Sequence, residues 1–231
     1  MCGDATNRAD VERLLGGERA NLVLTDPPYG TGKRTQQKSG AIGGRKFLNF
    51  APGKIYEARK YAHIIGDDST DAARLNWDIV KDVSDNQIIW GGNFFAYFLP
   101  PSRCWLVWDK QNGATLFADA ELAWTSFDKP VRLYRHLWNG VCRKGSHLLN
   151  PVPRVHPTQK PVELHMEILT AYGEIDDVIL DCFGGSGTTL IAAEQCGCRK
   201  CRMMELSEVY VDVIVDRWEK LTGGKAELIR E

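Results

Sequence analysis

The chain has 231 residues, of which 43% are hydrophobic and 26% charged, and its formal net charge at pH 7 is −1. This length and apolar content suit a single domain with a substantial core, which we expect to span residues 1–231. The near-neutral net charge excludes a surface that is basic throughout. Any binding of nucleic acid would therefore depend on local clusters of basic residues.

No stretch approaches the roughly 20 apolar residues of a membrane span, and no signal-peptide pattern is present. We therefore expect a soluble, cytoplasmic protein that has no membrane partner. The seven cysteines are an odd number and do not form a disulfide pattern, so reduced thiols are expected. Cys196, Cys198 and Cys201 are closely spaced, but no fourth ligand is evident, and no metal site is predicted.

The predicted elements alternate between helices and strands. The first part contains a helix over 9–15, a buried strand over 20–25 and a helix over 69–83, which follows the capping candidates Asp67, Asp68 and Ser69. Further strands are predicted over 87–90, 104–108, 120–127 and 131–137, with a short helix or turn over 93–99. The last part contains a helix over 162–172, a strand over 177–183, a helix over 188–196, a strand over 201–205 and a helix over 208–221. This alternation predicts an α/β fold in which helices cover both faces of a mostly parallel sheet.

Two segments between these elements are rich in basic residues. One is a long glycine-containing segment over 30–66, and the other lies at 132–155. Long segments that lack regular structure inside a compact domain are commonly functional or disordered. Two solvated loops are the simpler interpretation.

The clearest cofactor signal follows the predicted strand at 177–183. The sequence Val178-Ile-Leu-Asp-Cys-Phe-Gly-Gly-Ser-Gly-Thr188 turns a buried strand tightly into a helix, where a ligand can approach the backbone. Glu205 ends the next strand, at the place where a Rossmann-type sheet puts a carboxylate against ribose hydroxyls. The glycines do not fit G-x-G-x-x-G, and no Walker lysine follows them, which argues against a dinucleotide or a nucleoside triphosphate.

The stretch Thr25-Asp-Pro-Pro-Tyr-Gly30 suggests chemistry on an amine. An exocyclic amine on a nucleobase is a poor nucleophile because its lone pair is delocalised into the ring. If its N–H groups donate to the Asp26 carboxylate and the Pro27 carbonyl, the nitrogen can pyramidalise and direct that lone pair at an incoming methyl group. Paired prolines hold the carbonyl rigidly, and an aromatic ring offers a surface for an unstacked base. The candidate catalytic residues are Asp26, Pro27, Pro28 and Tyr29.

These motifs resemble those of the S-adenosylmethionine-dependent DNA amino-methyltransferases. The family's catalytic D/N/S-P-P-Y/F/W motif is similar to Asp26-Pro-Pro-Tyr29, and its F-x-G-x-G cofactor motif is similar to Phe183-Gly-Gly-Ser-Gly187. His156-Pro-Thr-Gln-Lys-Pro161 resembles the segment before the cofactor motif in the β-ordered group, in which the catalytic motif comes first. Trp90-Gly-Gly-Asn93 and Trp105-Leu-Val-Trp-Asp-Lys110 resemble the family's middle strands. The arrangement is also similar to the methylase half of ParB-methylase fusion proteins.

The resemblance implies a Rossmann-like class I methyltransferase fold with a permuted motif order and S-adenosyl-L-methionine as the cofactor. The glycine-rich turn would wrap the methionine part of the cofactor, and Glu205 would contact its ribose. Thr158 and Lys160 would meet the methionine carboxylate, and Asp4 matches an acidic position that family members use near the adenine ring. The candidate cofactor-binding residues are Asp4, Thr158, Gln159, Lys160, Asp181, Phe183, Gly184, Gly185, Ser186, Gly187, Thr188 and Glu205.

The resemblance also gives the two basic segments a role on DNA. The target base must leave the duplex, at a cost of a few kcal/mol, and Lys and Arg contacts to phosphates would help to offset that cost. Only residues 132–153 are available to read base edges in a groove, so a short or relaxed recognition sequence is predicted. The candidate DNA-binding residues are Lys33, Arg34, Arg45, Lys46, Arg132, Arg135, Arg143 and Lys144.

The implied reaction is methylation of adenine N6 in DNA, because Asp in the first motif position favours adenine by family resemblance, whereas Ser is commoner among cytosine N4 enzymes. Cytosine N4 is the alternative within the family. Relatives that methylate RNA or protein glutamine usually carry Asn first and place the cofactor motif ahead of it. A non-catalytic DNA-binding or cofactor-sensing module is a different class, and the intact Asp26 argues against it. A homodimer would let a second copy help to hold the DNA.

Overall fold

The computed structural model describes residues 1–32, 65–112, 118–138, 156, 158–197 and 200–229. Most of the two basic segments lies outside these ranges. The candidate DNA-binding residues that fall there are Lys33, Arg34, Arg45, Lys46, Arg143 and Lys144.

The helices and strands follow the predicted order. The elements before residue 100 are α1 (Arg8–Leu15), β1 (Ala20–Thr25), α2 (Asp71–Val83), β2 (Ser84–Trp90) and a 3-10 helix (Gly92–Phe94). The middle strands are β3 (Trp105–Asp109), β4 (Ala120–Thr125) and β5 (Arg132–Arg135). The last elements are α3 (Val162–Tyr172), β6 (Val178–Asp181), α4 (Thr188–Gln195), β7 (Lys200–Met203) and α5 (Glu208–Thr222).

The seven strands form one sheet in the order β5-β3-β4-β2-β1-β6-β7. β1 lies near the centre, between β2 and β6, and pairs with both in parallel. Among these described strands only β4 runs against its neighbours, pairing antiparallel with β2 and β3. The prediction of a mostly parallel sheet in an α/β fold is confirmed.

Helices cover both faces of this sheet. Because successive side chains of a strand point to opposite faces, alternate residues of β1 join different clusters. Leu22 and Leu24 pack in a buried cluster with Ile168 of α3, and α4 contributes to the same cluster. Val23 belongs to a second cluster, which contains Val80 of α2 and residues of α1. Full burial of each such side chain contributes about 1.5 to 3 kcal/mol, which makes β1 a rigid support for whatever follows it.

Several boundaries differ from the predictions, among them the starts of α2 and β2 and the end of β7, which is Met203 rather than Glu205. α2 begins at Asp71 rather than at 69, and its N-cap is Thr70 instead of one of the three predicted capping candidates. Asp67 accepts the backbone N–H groups of Gly30 and Thr31 instead, and Ser69 Oγ accepts the N–H of Asp71 at 3.2 Å. β2 begins directly after α2, at Ser84, three residues earlier than predicted. Its first residues are polar, so the apolar pattern did not reveal them.

Within the described ranges, no helix is long and apolar enough to cross a membrane. The same ranges contain no group of three or more His, Cys, Asp or Glu side chains that could hold a metal ion. Cys198, one of the three closely spaced cysteines, lies outside the described residues.

Candidate active site

The predicted catalytic and cofactor motifs meet at one edge of the sheet. β1, β6 and β7 are adjacent and parallel, so their carboxyl ends lie together. Asp26 follows β1, the glycine-rich turn follows β6, and Glu205 follows β7 shortly after its end. In open α/β sheets this edge is where ligands bind.

The tetrapeptide after β1 holds its acid and its aromatic ring together. The Tyr29 hydroxyl donates to Asp26 Oδ1 at 2.6 Å. The ring of Tyr29 stacks on Phe94, with centroids 5.0 Å apart and planes inclined by 18°. Gly91 makes room for this ring, because a Cβ there would lie 2.2 Å from Tyr29 Cε1. Pro27 is buried, whereas the Asp26 side chain is 19% exposed.

Lys160 connects Asp26 to a row of charges inside the protein. Its Nζ forms an ion pair with Asp26 Oδ2 and lies 3.3 Å from Glu121 Oε2 and 3.3 Å from the Tyr29 hydroxyl oxygen. Lys110 Nζ contacts the other oxygen of Glu121, Oε1, at 2.5 Å. Positive and negative charges therefore alternate along the row, and each has an opposite neighbour, as buried charges require. We call Lys110, Glu121, Lys160 and Asp26 the charge row.

Burial and neighbouring charges shift the pKa values of Asp26, Glu121, Lys160 and Tyr29. Burial raises the pKa of Asp26 above its ordinary value, although the Lys160 ammonium opposes this effect. Burial would also raise the pKa of Glu121, but the two lysines outweigh it and lower that pKa. Burial would lower the pKa of Lys160, but its two carboxylate neighbours outweigh it and raise that pKa. The pKa of Tyr29 is raised well above its ordinary value by burial and by Asp26, so its hydroxyl keeps its proton and donates.

Asp67 fixes the chain where it leaves the tetrapeptide Asp26-Pro-Pro-Tyr29. Its Oδ1 accepts the backbone N–H groups of Gly30 at 3.0 Å and Thr31 at 3.2 Å. Its backbone carbonyl accepts the N–H of Gly32 at 2.8 Å. A Cβ at Gly32 would lie 2.8 Å from this carbonyl oxygen, so the approach depends on glycine. Asp67 thus holds the chain on both sides of the segment that follows Gly32.

The glycine-rich turn and Glu205 form the second half of the site. Glu205 Oε2 accepts the N–H of Gly185 at 2.8 Å, and Oε1 accepts the N–H of Ser207 at 2.9 Å. A carboxylate has about four acceptor positions, so capacity remains for the hydroxyls of a ribose. α4 begins at Thr188 without a side-chain cap, which leaves the first N–H groups of the helix to a ligand or to solvent. These residues fit S-adenosyl-L-methionine.

The glycines of this turn also serve packing. A Cβ at Gly184 would lie 2.9 Å from Met203 Cγ, and one at Gly187 would lie 3.0 Å from Ile214 Cγ2 of α5. Gly185 has φ 52°, and its Cβ would face the His156 ring at 3.5 Å. Burial, with a smaller effect from the nearby Lys160 charge, lowers the pKa of His156 to about 4, so this ring is neutral at pH 7.

The segment before α3 is joined to the glycine-rich turn. Thr188 Oγ1 donates to the carbonyl oxygen of Lys160 at 3.4 Å and lies 3.1 Å from Ser186 Oγ. Thr158 is exposed, and its hydroxyl lies 3.1 Å from His156 Nδ1. Lys160 Nζ contacts Asp26, Glu121 and Tyr29. An ammonium group has three N–H donors, so these three contacts account for all of them. A contact of Lys160 with a methionine carboxylate stays a prediction.

Three other predicted cofactor residues lie close by. Gln159 donates its backbone N–H to the His156 carbonyl at 3.3 Å, and Phe183 packs half-buried against the cluster beneath α1 and α2. Asp4 is brought near the end of β7, because the N–H of Gly3 donates to the carbonyl of Glu205 at 3.1 Å. The Asp4 carboxylate accepts the N–H of Thr6 at 2.8 Å.

Asp181 is buried, and its visible contacts are structural. Its Oδ1 accepts the Thr25 hydroxyl at 2.8 Å and the N–H of Phe183 at 3.1 Å, and its Oδ2 accepts the Thr189 hydroxyl at 2.6 Å. The carboxylate therefore ties β1 and β6 to α4, beneath the turn. A direct contact with the cofactor stays a prediction.

We expect the wild-type protein to lose stability relative to Asp181→Asn as the pH rises from about 4 to about 6. Burial raises the pKa of Asp181 from 3.8 to about 6, so in this window the unfolded chain has released a proton that the native state still holds. Rising pH therefore favours unfolding of the wild type by on the order of 2 kcal/mol, whereas an amide has no such proton. Urea unfolding of both proteins across this range measures the difference.

The matched control is Asp176→Asn, because Asp176 is exposed and precedes the same strand. Its difference from the wild type should not vary with pH. A difference between Asp181→Asn and the wild type that stays constant from pH 4 to 7 would contradict the expected effect.

Two candidate DNA contacts lie in the described part of the chain, on the edge strand β5. Arg132 and Arg135 are both exposed, and Arg135 Nε lies 3.6 Å from Asp109 Oδ2. β5 is parallel to β3, and β3 runs in the direction of β1, so Arg135 lies at the carboxyl edge with Asp26. Arg132 lies at the other end of the strand.

Sequence reasoning missed Glu121, Lys110 and Asp67 as residues of this site. Glu121 is an acidic residue in a mostly apolar strand, which is the only local signal it gives. Lys110 belongs to the motif Trp105-Leu-Val-Trp-Asp-Lys110, but the motif assigns it no role. The contact between Lys110 and Glu121 depends on the antiparallel register in which Trp108 of β3 faces Glu121 of β4, and the sequence pattern does not encode that register.

Comparison with known proteins agrees with this geometry. The family model N6_N4_Mtase, described as DNA methylase, matches residues 20–216. The chain belongs to this DNA methylase family.

Two curated relatives match most of the chain. YubD of Escherichia coli (strain K12) is 26% identical over 209 residues, which are 84% of this chain and 79% of that protein. The Type II methyltransferase M.HpaI of Haemophilus parainfluenzae is 23% identical over 237 residues, covering 88% of this chain and 69% of that enzyme.

Solved structures share the fold. TTHA0409 of Thermus thermophilus, complexed with S-adenosyl-L-methionine, has a TM-score of 0.54 at 18% identity and covers 99% of this chain and 98% of its own. The M1.HpyAVI–SAM complex has a TM-score of 0.52 at 19% identity, with 93% and 96% covered. The cytosine-N4-specific PvuII DNA methyltransferase has a TM-score of 0.56 at 14% identity, with 94% and 84% covered. The predicted class I methyltransferase fold is confirmed.

Proposed function

We propose that this protein transfers a methyl group from S-adenosyl-L-methionine to the N6 amine of an adenine flipped out of DNA, within a short or relaxed recognition sequence. The observation that carries the proposal is the position of Asp26. Its side chain, which is partly exposed, directly follows β1 at the sheet edge that also holds the glycine-rich turn, and Tyr29 and Lys160 contact its carboxylate. A carboxylate so held can orient an amine at the edge where the family's cofactor binds.

The protein's contribution to the reaction is mainly orientation. Asp26 would accept one N–H of the target amine, and the Pro27 carbonyl would accept the other. The bound cofactor supplies a methyl group already activated on a sulfonium centre. Asp26 would take the proton that the amine loses when its nitrogen accepts the methyl group and the sulfonium centre leaves as a neutral thioether. Burial, which raises the Asp26 pKa, makes that carboxylate a better base.

The cofactor would lie along the ends of β6 and β7. Glu205 has acceptor capacity for the ribose, and Gly185 is held against it by a hydrogen bond of 2.8 Å. The turn from Phe183 to Thr188 would enclose the methionine part, with Thr158 and Asp4 as further contacts. These assignments are proposals that the clustering of the motifs supports.

Adenine is chosen over cytosine because of the Asp in the first position of the tetrapeptide. The two amines are chemically alike, and the solved structures that share the fold include a cytosine-N4-specific enzyme. Membership in the β-ordered group and similarity to ParB-methylase fusions stay predictions, as do a cytoplasmic location and a homodimer. The non-catalytic module is disfavoured, because the acid, the ring and the glycine-rich turn are assembled at one edge.

Nucleoside mass spectrometry tests the proposal. DNA incubated with the purified protein and S-adenosyl-L-methionine carrying a labelled methyl group should contain labelled N6-methyladenine. Labelled N4-methylcytosine instead would overturn the choice of base. No label in duplex or single-stranded DNA would favour the non-catalytic module.

Single-molecule sequencing of the same DNA tests the predicted specificity. We expect methylation at a short or degenerate motif, because the segment available to read base edges is short. Modification confined to one motif of six or more base pairs would contradict this expectation.

A further inference from the structure

Glu121 has no place in the chemistry described so far, although it is the central link of the charge row. Its two oxygens contact different lysines, Oε1 contacting Lys110 at 2.5 Å and Oε2 contacting Lys160 at 3.3 Å. Its side chain is 24% exposed, against 14% for Lys110 and 4% for Lys160, so these contacts are poorly screened by solvent. An exposed surface pair would couple only weakly to the site.

The Lys160 ammonium is shared between two carboxylates. It pairs with Asp26 on one side and with Glu121 on the other, while Lys110 competes for Glu121. Neutralising Glu121 leaves Lys160 wholly to Asp26. Neutralising Lys110 leaves Glu121 wholly to Lys160, and so draws the ammonium away from Asp26.

We propose that Glu121 is a positioning residue, which divides the Lys160 ammonium between itself and Asp26 and thereby sets how firmly Asp26 is held and how strongly it binds a proton. The role of Asp26 as the reacting carboxylate rests on the proposed function. The coupling of the three charges does not, because it follows from their contacts alone.

The other ionisable groups around Asp26 are the same in the wild type and in each variant, so the difference between the proteins reports on the substituted charge. Four groups contact Asp26 or Lys160 or interact with them electrostatically, namely Tyr29, His156, His165 and Asp181, and Asp67 acts on Tyr29. Burial lowers the pKa of His156 to about 4 and that of His165 to about 3, so both rings stay neutral above pH 5. Glu121 itself raises the pKa of Asp26 and of Lys160.

Two substitutions should move the Asp26 pKa in opposite directions. Glu121→Gln removes a negative charge and gives the ammonium to Asp26, so the Asp26 pKa should fall by about one unit. Lys110→Gln removes a positive charge and draws the ammonium away, so that pKa should rise. Glu174→Gln is the control for the change of charge. Glu174 is exposed and precedes β6, so it lies at the amino ends of the parallel strands, away from Asp26. It should leave the pKa unchanged.

Carbon-13 NMR titration of aspartate-labelled protein measures these shifts without cofactor or DNA. The Asp26 carboxyl signal is assigned by its absence in Asp26→Asn. Opposite shifts in the two variants support the proposal, whether or not the protein methylates DNA. An Asp26 signal that titrates identically in wild type, Glu121→Gln and Lys110→Gln overturns it.

Steady-state kinetics then connect the coupling to the reaction. The acid limb of the pH profile of kcat/KM should move to lower pH in Glu121→Gln and to higher pH in Lys110→Gln, and kcat should fall about tenfold in Glu121→Gln. A merely structural role would lower kcat without moving the limb, which would count against the proposal. A wild type that transfers no methyl group would instead contradict the proposed function alone, since the NMR shifts do not depend on it.

Discussion

Asp26→Asn is expected to lower methyl transfer to DNA by about a thousandfold or more, equivalent to about 4 kcal/mol of transition-state stabilisation. The amide keeps the shape of the side chain and can accept one N–H, but it cannot take the proton that the amine loses. It also presents an NH₂ group to Tyr29 or Lys160, which are both donors to Asp26 in the wild type. Labelled methyl incorporation into DNA by equal amounts of each protein measures the loss.

The same substitution should also lower stability, because it leaves Lys160 with one carboxylate partner instead of two. Removing one member of a buried ion pair costs about 3 kcal/mol, and the Lys160 side chain is 4% exposed. The double variant Asp26→Asn/Lys160→Met removes both charges and leaves Lys110 paired with Glu121. We expect it to regain most of the stability and none of the activity, which separates loss of chemistry from loss of fold. A double variant as active as the wild type would refute the role of Asp26.

Gly91→Ala is the second substitution with a large expected effect, of about a hundredfold on methyl transfer. Gly91 has φ +73°, and a Cβ there would lie 2.2 Å from Tyr29 Cε1 and 2.5 Å from Cδ1. Because these are atoms of a rigid ring that is stacked on Phe94, the ring must move, and its hydroxyl must then leave Asp26. A displacement of about 1 Å in a positioning group can cost a hundredfold in rate.

Gly223→Ala provides a matched control. Gly223 has φ +72°, and no heavy atom of the described residues lies within 4 Å of its Cβ position, so the backbone strain is the same and the collision is absent. Both variants should lose about 1 kcal/mol of stability to the left-handed conformation, and only Gly91→Ala should lose activity. Urea unfolding and methyl incorporation distinguish the two effects. Equal activity of both alanine variants would contradict a requirement for the Tyr29 position.

Much of the fold could be predicted from the sequence, since the hydrophobic patterns are strong and consistent with the turns between them. The run at 20–25, the strand before the glycines and the helix over 162–172 all form within a few residues of the predicted bounds. The start of β2 was missed, because Ser84 to Asn86 are polar. These residues form a strand because they pair in parallel with β1, and the local sequence pattern does not indicate that pairing.

The residues that follow strand ends could be predicted from the sequence as neighbours in the site. The contacts that depend on how the strands are ordered and aligned could not. Asp26 and Glu205 both follow strands of a parallel sheet, so their meeting at one edge follows from topology. The contact between Glu121 and Lys160 joins β4 to the segment before α3, and no spacing in the sequence brings these two together. Such a contact can be found only once the strand order is known.

Asp67 binds the backbone of Gly30, Thr31 and Gly32. These contacts hold the tetrapeptide Asp26-Pro-Pro-Tyr29 independently of the residues that lie between Gly32 and Asp67 in the chain. Because these contacts hold the chain on both sides of residues 33–64, the position of Asp26 does not depend on how many residues that stretch contains. The stretch can therefore change in length or sequence without displacing the carboxylate that follows β1.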